Sequence, residues 1–184
     1  MNSKTIFLDR DGVLNVEGGD YITDPKMLAM LPDSAEAVAL LNRAGWKTIL
    51  VTNQSGVGRG YMSLTDMEAV HTRLKLELEK AGAHLDAIYY CPHTPEDECG
   101  CRKPEPGMLL QAAREHDLDL SQCWLAGDSS RDMEAGNSVG CKTILVLSGH
   151  TKIYLPSKVS FPPPVCIAAN LYHAVEWILS APIL

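Results

Sequence analysis

The chain has no excess of basic residues: 16 Lys and Arg stand against 23 Asp and Glu, a formal net charge of −7. A protein without a basic footprint is poorly made to capture a phosphodiester backbone, so no nucleic-acid partner is expected. Nor is there any run approaching the roughly 20 apolar residues of a membrane span. The first residues lack the apolar core of a secretion signal. These gaps predict a protein of the reducing cytoplasm with no membrane partner. No internal repeat and no boundary of a second domain interrupt the sequence. With 184 residues, 46% of them hydrophobic and 21% charged, one globular domain over residues 1–184 with a sizeable core is expected.

What is present is an alternation of short apolar runs with amphipathic stretches. Ile6-Phe7-Leu8 reads as a buried strand that stops in Asp9, Asp11 and Gly12. Asn15 to Pro32 is a long connection rich in Gly, Asp and Pro, and loops of that length are often functional. Asp33-Ser34 offers an N-cap for a helix to about Arg43, followed by a strand over Lys47–Thr52. Ser63-Leu64-Thr65 opens a helix to about Lys80, with Met67, Val70, Leu74 and Leu78 near helical spacing. A strand over Ala87–Tyr90, a helix over Pro106–His116, a strand over Cys123–Asp128, a helix over Arg131–Val139 and a strand over Lys142–Leu147 follow. Phe161 to Pro164 reads as irregular and Leu171 to Leu179 as a closing helix. Strands alternating with helices argue for an α/β fold with a doubly wound parallel sheet.

Polar groups collect at the ends of these strands: Asp9 and Asp11, Thr52, the segment after Tyr90, and Asp128. In such sheets the ligand sits beyond the strand C-termini. Asp9 and Asp11 lie two apart, so on extended chain they point the same way and repel unless a cation or shared proton intervenes. An isolated Asp-x-Asp-Gly suits an ordinary acidic turn; the company it keeps here is what gives it weight. A second cluster, Cys91, His93, Cys99 and Cys101, has the donor set of a closed structural Zn²⁺ site. A metal there would order the polar loop leading into Arg102-Lys103-Pro104.

Asp9-x-Asp11-Gly12, Thr52 after a strand, Lys103 before a helix and Gly127-Asp128-x-x-x-Asp132 resemble, in order, the four signatures of the haloacid dehalogenase-type phosphohydrolases. The resemblance runs from about Lys4 to Gly149. It implies that Asp9 is a nucleophile forming an aspartyl-phosphate and Asp11 a general acid and base. For that task the Asp11 carboxyl is expected to be raised towards the operating pH by surrounding negative charge. The resemblance further implies Mg²⁺ held by Asp9, Asp128 and the main-chain carbonyl of Asp11, with Asp132 behind the metal. Thr52 and Lys103 would donate to the phosphoryl oxygens.

The zinc loop and the absence of a cap-sized insertion are similar to the branch with little or no cap domain. That branch holds heptose 1,7-bisphosphate 7-phosphatases and histidinol-phosphate phosphatases. The run Thr52 to Tyr61, with Asn53, Gln54, Ser55 and Arg59, is similar to the heptose enzymes. The short gap between His93 and Cys99 is similar to the histidinol-phosphate enzymes, and Ser129 stands where many heptose enzymes carry lysine. A sugar bisphosphate cleaved at its 7-phosphate, heptose 1,7-bisphosphate, is implied, with Arg102 and Arg59 reading the phosphate that is not cleaved; histidinol phosphate or another small phosphomonoester is the alternative. Glu17, Asp20 and their loop would close over the sugar, and a monomer is expected. His71, His84, His116, His150 and His173 read as surface or packing residues.

Overall fold

The computed structural model describes residues 4–19, 21–153 and 161–180. Its apolar runs pair into one six-stranded sheet: β1 (Thr5–Leu8), β2 (Lys47–Asn53), β3 (Ala87–Cys91), β4 (Trp124–Gly127), β5 (Lys142–Val146) and β6 (Cys166–Ala168). The order is β3-β2-β1-β4-β5-β6, and every neighbouring pair is parallel. The expected doubly wound α/β sheet is therefore what the chain forms. β1 lies in the middle with all four residues buried, which is why it reads as an unbroken apolar run.

Side chains alternate across a strand. Ile6 and Leu8 face a core completed by α1 (Ser34–Arg43), α2 (Leu64–Lys80) and α5 (Leu171–Ser180). Phe7 faces the other core, with Met108, Leu109 and Ala112 of α3 (Gly107–His116) and Ala135 of α4 (Ser130–Ser138). Helices thus cover both faces. Between Leu8 and Ser34, and between Cys91 and Gly107, the described residues form nothing longer than three-residue 3₁₀ turns, so neither connection carries a cap-sized insertion.

Two local expectations are corrected. Asp33 does not cap α1 with its side chain; it sits at φ 60°, and the Ser34 hydroxyl instead donates to the carbonyls of Leu14 and Leu31 at 2.7 and 2.8 Å. That ties the helix start to the long connection. β6 was not expected: three residues behind a proline-rich stretch are too few for an alternation to show.

The three tryptophans gather at the N-terminal end of the strands. Trp124, which begins β4, meets Trp46 and Trp177 edge-on at 6.3 and 5.9 Å between ring centroids. The ammonium groups of Lys4 and Lys142 lie over Trp46 and Trp124.

Candidate active site

The sheet order reverses around β1, and a cleft of about 290 Å³ opens at the C-terminal ends of the strands there. Asp9, Asp11, Glu17, Thr52, Asn53, Gln54, Ser55, Arg102, Lys103, Asp128 and Asp132 all line it. The Lys103 ammonium, 3% exposed, has three partners: Asp132 at 2.6 Å, Asp9 at 3.0 Å and the Val51 carbonyl at 2.8 Å. Burial pulls its pKa down, but Asp132 and Asp9 outweigh that and hold it above the ordinary value, so it stays charged.

Asp9, Asp128 and Asp132 bring carboxylate oxygens within 4.8 Å of one another. Burial pushes Asp9 up to about 7 against the pull of Lys103, and Asp132, Asp128 and Asp11 add to the rise. Asp128 is pushed up to about 6, again by burial first, with the His150 amide opposing and Asp132 and Glu17 adding. Crowded carboxylates of this kind gain from a cation, and an all-oxygen donor set suits a hard divalent ion. Asp132 is engaged on both oxygens, by Lys103 on one side and by the Ser129 amide and hydroxyl on the other. It therefore serves to hold Lys103, while Asp9 and Asp128 remain the carboxylates fit for a metal. Gly12 makes room for Asp128: it sits at φ +77°, and a Cβ there would run into the Asp128 carboxylate.

Asp11 departs from expectation. The chain leaves the extended form after Leu8, and Asp9 and Asp11 turn to different partners. Arg10, only 1% exposed, grips Asp11 with Nε and Nη2 at 2.9–3.2 Å. Asn15 and Gln54 donate to it at 2.9 and 3.0 Å. Burial pushes the Asp11 carboxyl up, but Arg10, Asn15 and Gln54 together hold it below the usual carboxylate value. The expected rise is thus reversed, because a buried guanidinium stands where extra negative charge was anticipated.

Gln54 also donates to the Thr52 hydroxyl oxygen at 2.9 Å, which leaves the Thr52 proton free for a ligand. Asn53, expected at the substrate, has both amide atoms on the Lys103 main chain at 3.0 Å; it positions Lys103. Ser55 lies 3.3 Å from the Tyr21 hydroxyl, and Glu17 stands at the cleft rim with its carboxylate 3.9 Å from the His150 ring. Arg59 is not brought to the cleft; its nearest charge is Glu96 at 3.8 Å. Asp20 lies outside the described residues.

The thiols of Cys91, Cys99 and Cys101 lie 3.2–3.5 Å apart, and His93 Nδ1 is 3.5 and 3.3 Å from Cys91 and Cys101. Thiolates around one Zn²⁺ at about 2.3 Å would be about 3.8 Å apart, so the group is a little inside a metal tetrahedron. Burial pushes Cys99 up, but hydrogen bonds from Cys101 and Cys91 outweigh it and hold the thiol at about 7. These four residues fit a metal ion. Arg102 is tied to the same loop by its bond to the His93 carbonyl at 3.2 Å.

Comparison with known proteins agrees with this geometry. The "HAD-hyrolase-like" family model matches residues 100–174. The D-glycero-beta-D-manno-heptose-1,7-bisphosphate 7-phosphatase of Pseudomonas aeruginosa is 45% identical over 149 residues, covering 81% of this chain and 84% of its own. The enzyme of the same name from Bordetella bronchiseptica is 42% identical over 176 residues, covering 96% and 98%. The chain belongs to the haloacid dehalogenase-like phosphatases. Its members are phosphoric monoester hydrolases, and this chain is one. The crystal structure of the B. bronchiseptica D,D-heptose 1,7-bisphosphate phosphatase, complexed with magnesium and phosphate, superposes with a TM-score of 0.91 at 38% identity, covering 96% of this chain and 98% of that one.

Three parts of the phosphatase site escaped the sequence. Arg10 carried no signal, because a charged residue at a strand end ordinarily reads as exposed. His150 was expected at the surface, where its ring is, yet its main-chain amide donates to Asp128. The Ser148 hydroxyl donates to the Gly12 carbonyl at 2.7 Å, joining the loops after β5 and β1. Arg131 lines the cleft as well, at an x position of Gly127-Asp128-x-x-x-Asp132, as Arg10 does in Asp9-x-Asp11-Gly12. Among the described residues no helix is long and apolar enough to cross a membrane.

Proposed function

We propose that this phosphatase removes the 7-phosphate of D-glycero-D-manno-heptose 1,7-bisphosphate through an aspartyl-phosphate intermediate. Asp9 Oδ1 accepts from Lys103 and from the Arg10 amide, which leaves Oδ2 for attack on phosphorus. The P–O bond to the sugar breaks as the Asp9–phosphorus bond forms, and the leaving oxygen takes a proton from Asp11, which is held as carboxylate and must first take that proton from solvent. In the second half, Asp11 takes a proton from water, whose oxygen displaces Asp9 from phosphorus and releases inorganic phosphate. Held as carboxylate by Arg10, Asn15 and Gln54, Asp11 stands ready for this base half. Lys103 and the Thr52 hydroxyl stabilise the charge that builds on the phosphoryl oxygens. Mg²⁺, held by Asp9, Asp128 and the Asp11 carbonyl, would supply further charge stabilisation when bound.

Zn²⁺ on Cys91, His93, Cys99 and Cys101 fixes the loop that presents Arg102 and Lys103; all four positions are protein ligands, so its role is structural. We place the enzyme in the cytoplasm as a monomer of one domain acting on a small sugar phosphate. The observation that carries this reading is Asp9 with a free oxygen beside Lys103 and Asp128, in a chain 42% identical to a heptose bisphosphate phosphatase over 96% of its length. Phosphate release from heptose 1,7-bisphosphate, histidinol phosphate and simple sugar phosphates tests it. The bisphosphate should give the highest kcat/KM, and Asp9→Asn should abolish its turnover. A higher kcat/KM on histidinol phosphate would sink the substrate assignment.

A further inference from the structure

Beyond the cleft lies a second cavity of about 490 Å³, and the two share Arg102, Lys103 and Arg131. The cations between them are unequally engaged. All three donors of Lys103 are taken by Asp9, Asp132 and the Val51 carbonyl, and Arg10 is buried against Asp11. Arg102 gives one nitrogen to the His93 carbonyl. Arg131 is different: among the described residues its side chain has no hydrogen bond or ion pair.

An exposed arginine without a partner is ordinary at a protein surface. This one shares a cleft with Asp9, Asp11, Glu17, Asp128 and Asp132, and its guanidinium pairs with none of them. Its backbone is fixed as well. The reciprocal Ser129–Asp132 capping bonds lock the start of α4, and Asp132 in turn holds Lys103. Arg131 therefore stands at a set distance from the group that handles the transferred phosphoryl. Across the second cavity the charged side chains are Glu98 and Glu105, which repel an anion and leave it to the two arginines.

We propose that Arg131 is a specificity-determining residue: together with Arg102 it grips the phosphate that the enzyme leaves on its substrate. The inference rests on the bisphosphate reading above and adds a residue to it. Guanidinium forks bind phosphate oxygens in pairs, and two forks lining the same cleft suit a dianion.

The test compares wild type, Arg131→Ala and Arg131→Lys on heptose 1,7-bisphosphate and on the 7-monophosphate of the same sugar. Arg131→Ala should lose about tenfold in kcat/KM on the bisphosphate, mainly through KM, and less than about threefold on the monophosphate. Arg131→Lys, which keeps the charge but not the fork, should retain part of the preference. Equal losses on the two substrates, or no loss, in an enzyme whose wild type prefers the bisphosphate would overturn the role of Arg131 alone. A wild type with no such preference would overturn the substrate reading and this inference with it, before any variant is compared.

Discussion

Lys103→Met leaves two buried carboxylates without their cation. Asp132 is fully buried and Asp9 is 14% exposed, while the ammonium lies 2.6 and 3.0 Å from them. Methionine has a similar length and no charge, so shape is largely kept. Removing one member of a buried ion pair costs about 3–5 kcal/mol, because the charge left behind has neither water nor partner. Asp9 has a way out, since its carboxyl, already pushed up to about 7, can take a proton. The larger share of the loss therefore falls on Asp132. At an unfolding entropy of about 2.1 cal/mol/K per residue, a chain of 184 residues would lose roughly 8–13 °C in Tm. Thermal unfolding followed by circular dichroism at pH 7.5 without added magnesium measures this. Lys103→Met/Asp132→Asn should recover at least about 1 kcal/mol, because asparagine removes the stranded charge and still accepts from Ser129. Stability of Lys103→Met within about 1 kcal/mol of wild type, or strictly additive effects in the double variant, would refute the reasoning.

Two further expectations follow from the loop and the buried histidine. Cys99→Ser should lower zinc content and phosphatase activity together, since Arg102 and Lys103 hang from that loop; zinc loss with full activity would separate the two. His71 is buried against Tyr90 at 5.9 Å and held down to about 4 from 6.5, by burial first and by Arg10 and Lys75 next, with Asp11 opposing. The unfolded chain takes this proton near pH 6.5 while the folded chain refuses it until about pH 4. The contribution is thus complete above 6.5 and drains as pH falls towards 4, about 2 kcal/mol of it between pH 7 and pH 5. Urea unfolding across that range should show a shallower decline for His71→Leu than for wild type, and parallel curves would count against the assignment.

The sheet and the catalytic groups were legible because each carries a local signature. A buried parallel strand reads as an apolar run, and Asp9, Thr52, Lys103 and Asp128 each mark an end of one or the start of a helix. The Cys91–Cys101 cluster was legible for the same reason, with all four donors inside eleven consecutive positions. Pairings across the fold had no such mark. Arg10 is buried only because Asp11 folds back on it, and Asn15 and Gln54 reach the same carboxylate from different connections. Arg59 sits in a run similar to that of the heptose enzymes, yet the turn over Gly56–Gly60 carries it towards Glu96. Asn53 lines the cleft, as its position beside Thr52 implies, but the main chain its amide bonds lies fifty residues on, at Lys103.

The gathering of Trp46, Trp124 and Trp177 has an optical consequence. All indole emission from this chain originates at one spot beneath the N-terminal strand ends, separated from the cleft by the length of β4, about 13 Å. Within the cluster the rings are close enough to share excitation, so the chain emits as a single lamp. That lamp dims or shifts when α5 leaves the sheet or the whole fold opens, since Trp177 belongs to α5. Filling the cleft at the far end leaves its surroundings untouched. Unfolding can therefore be followed by tryptophan fluorescence with substrate analogues or metal present, and a change in emission on adding them signals a motion that has crossed the sheet.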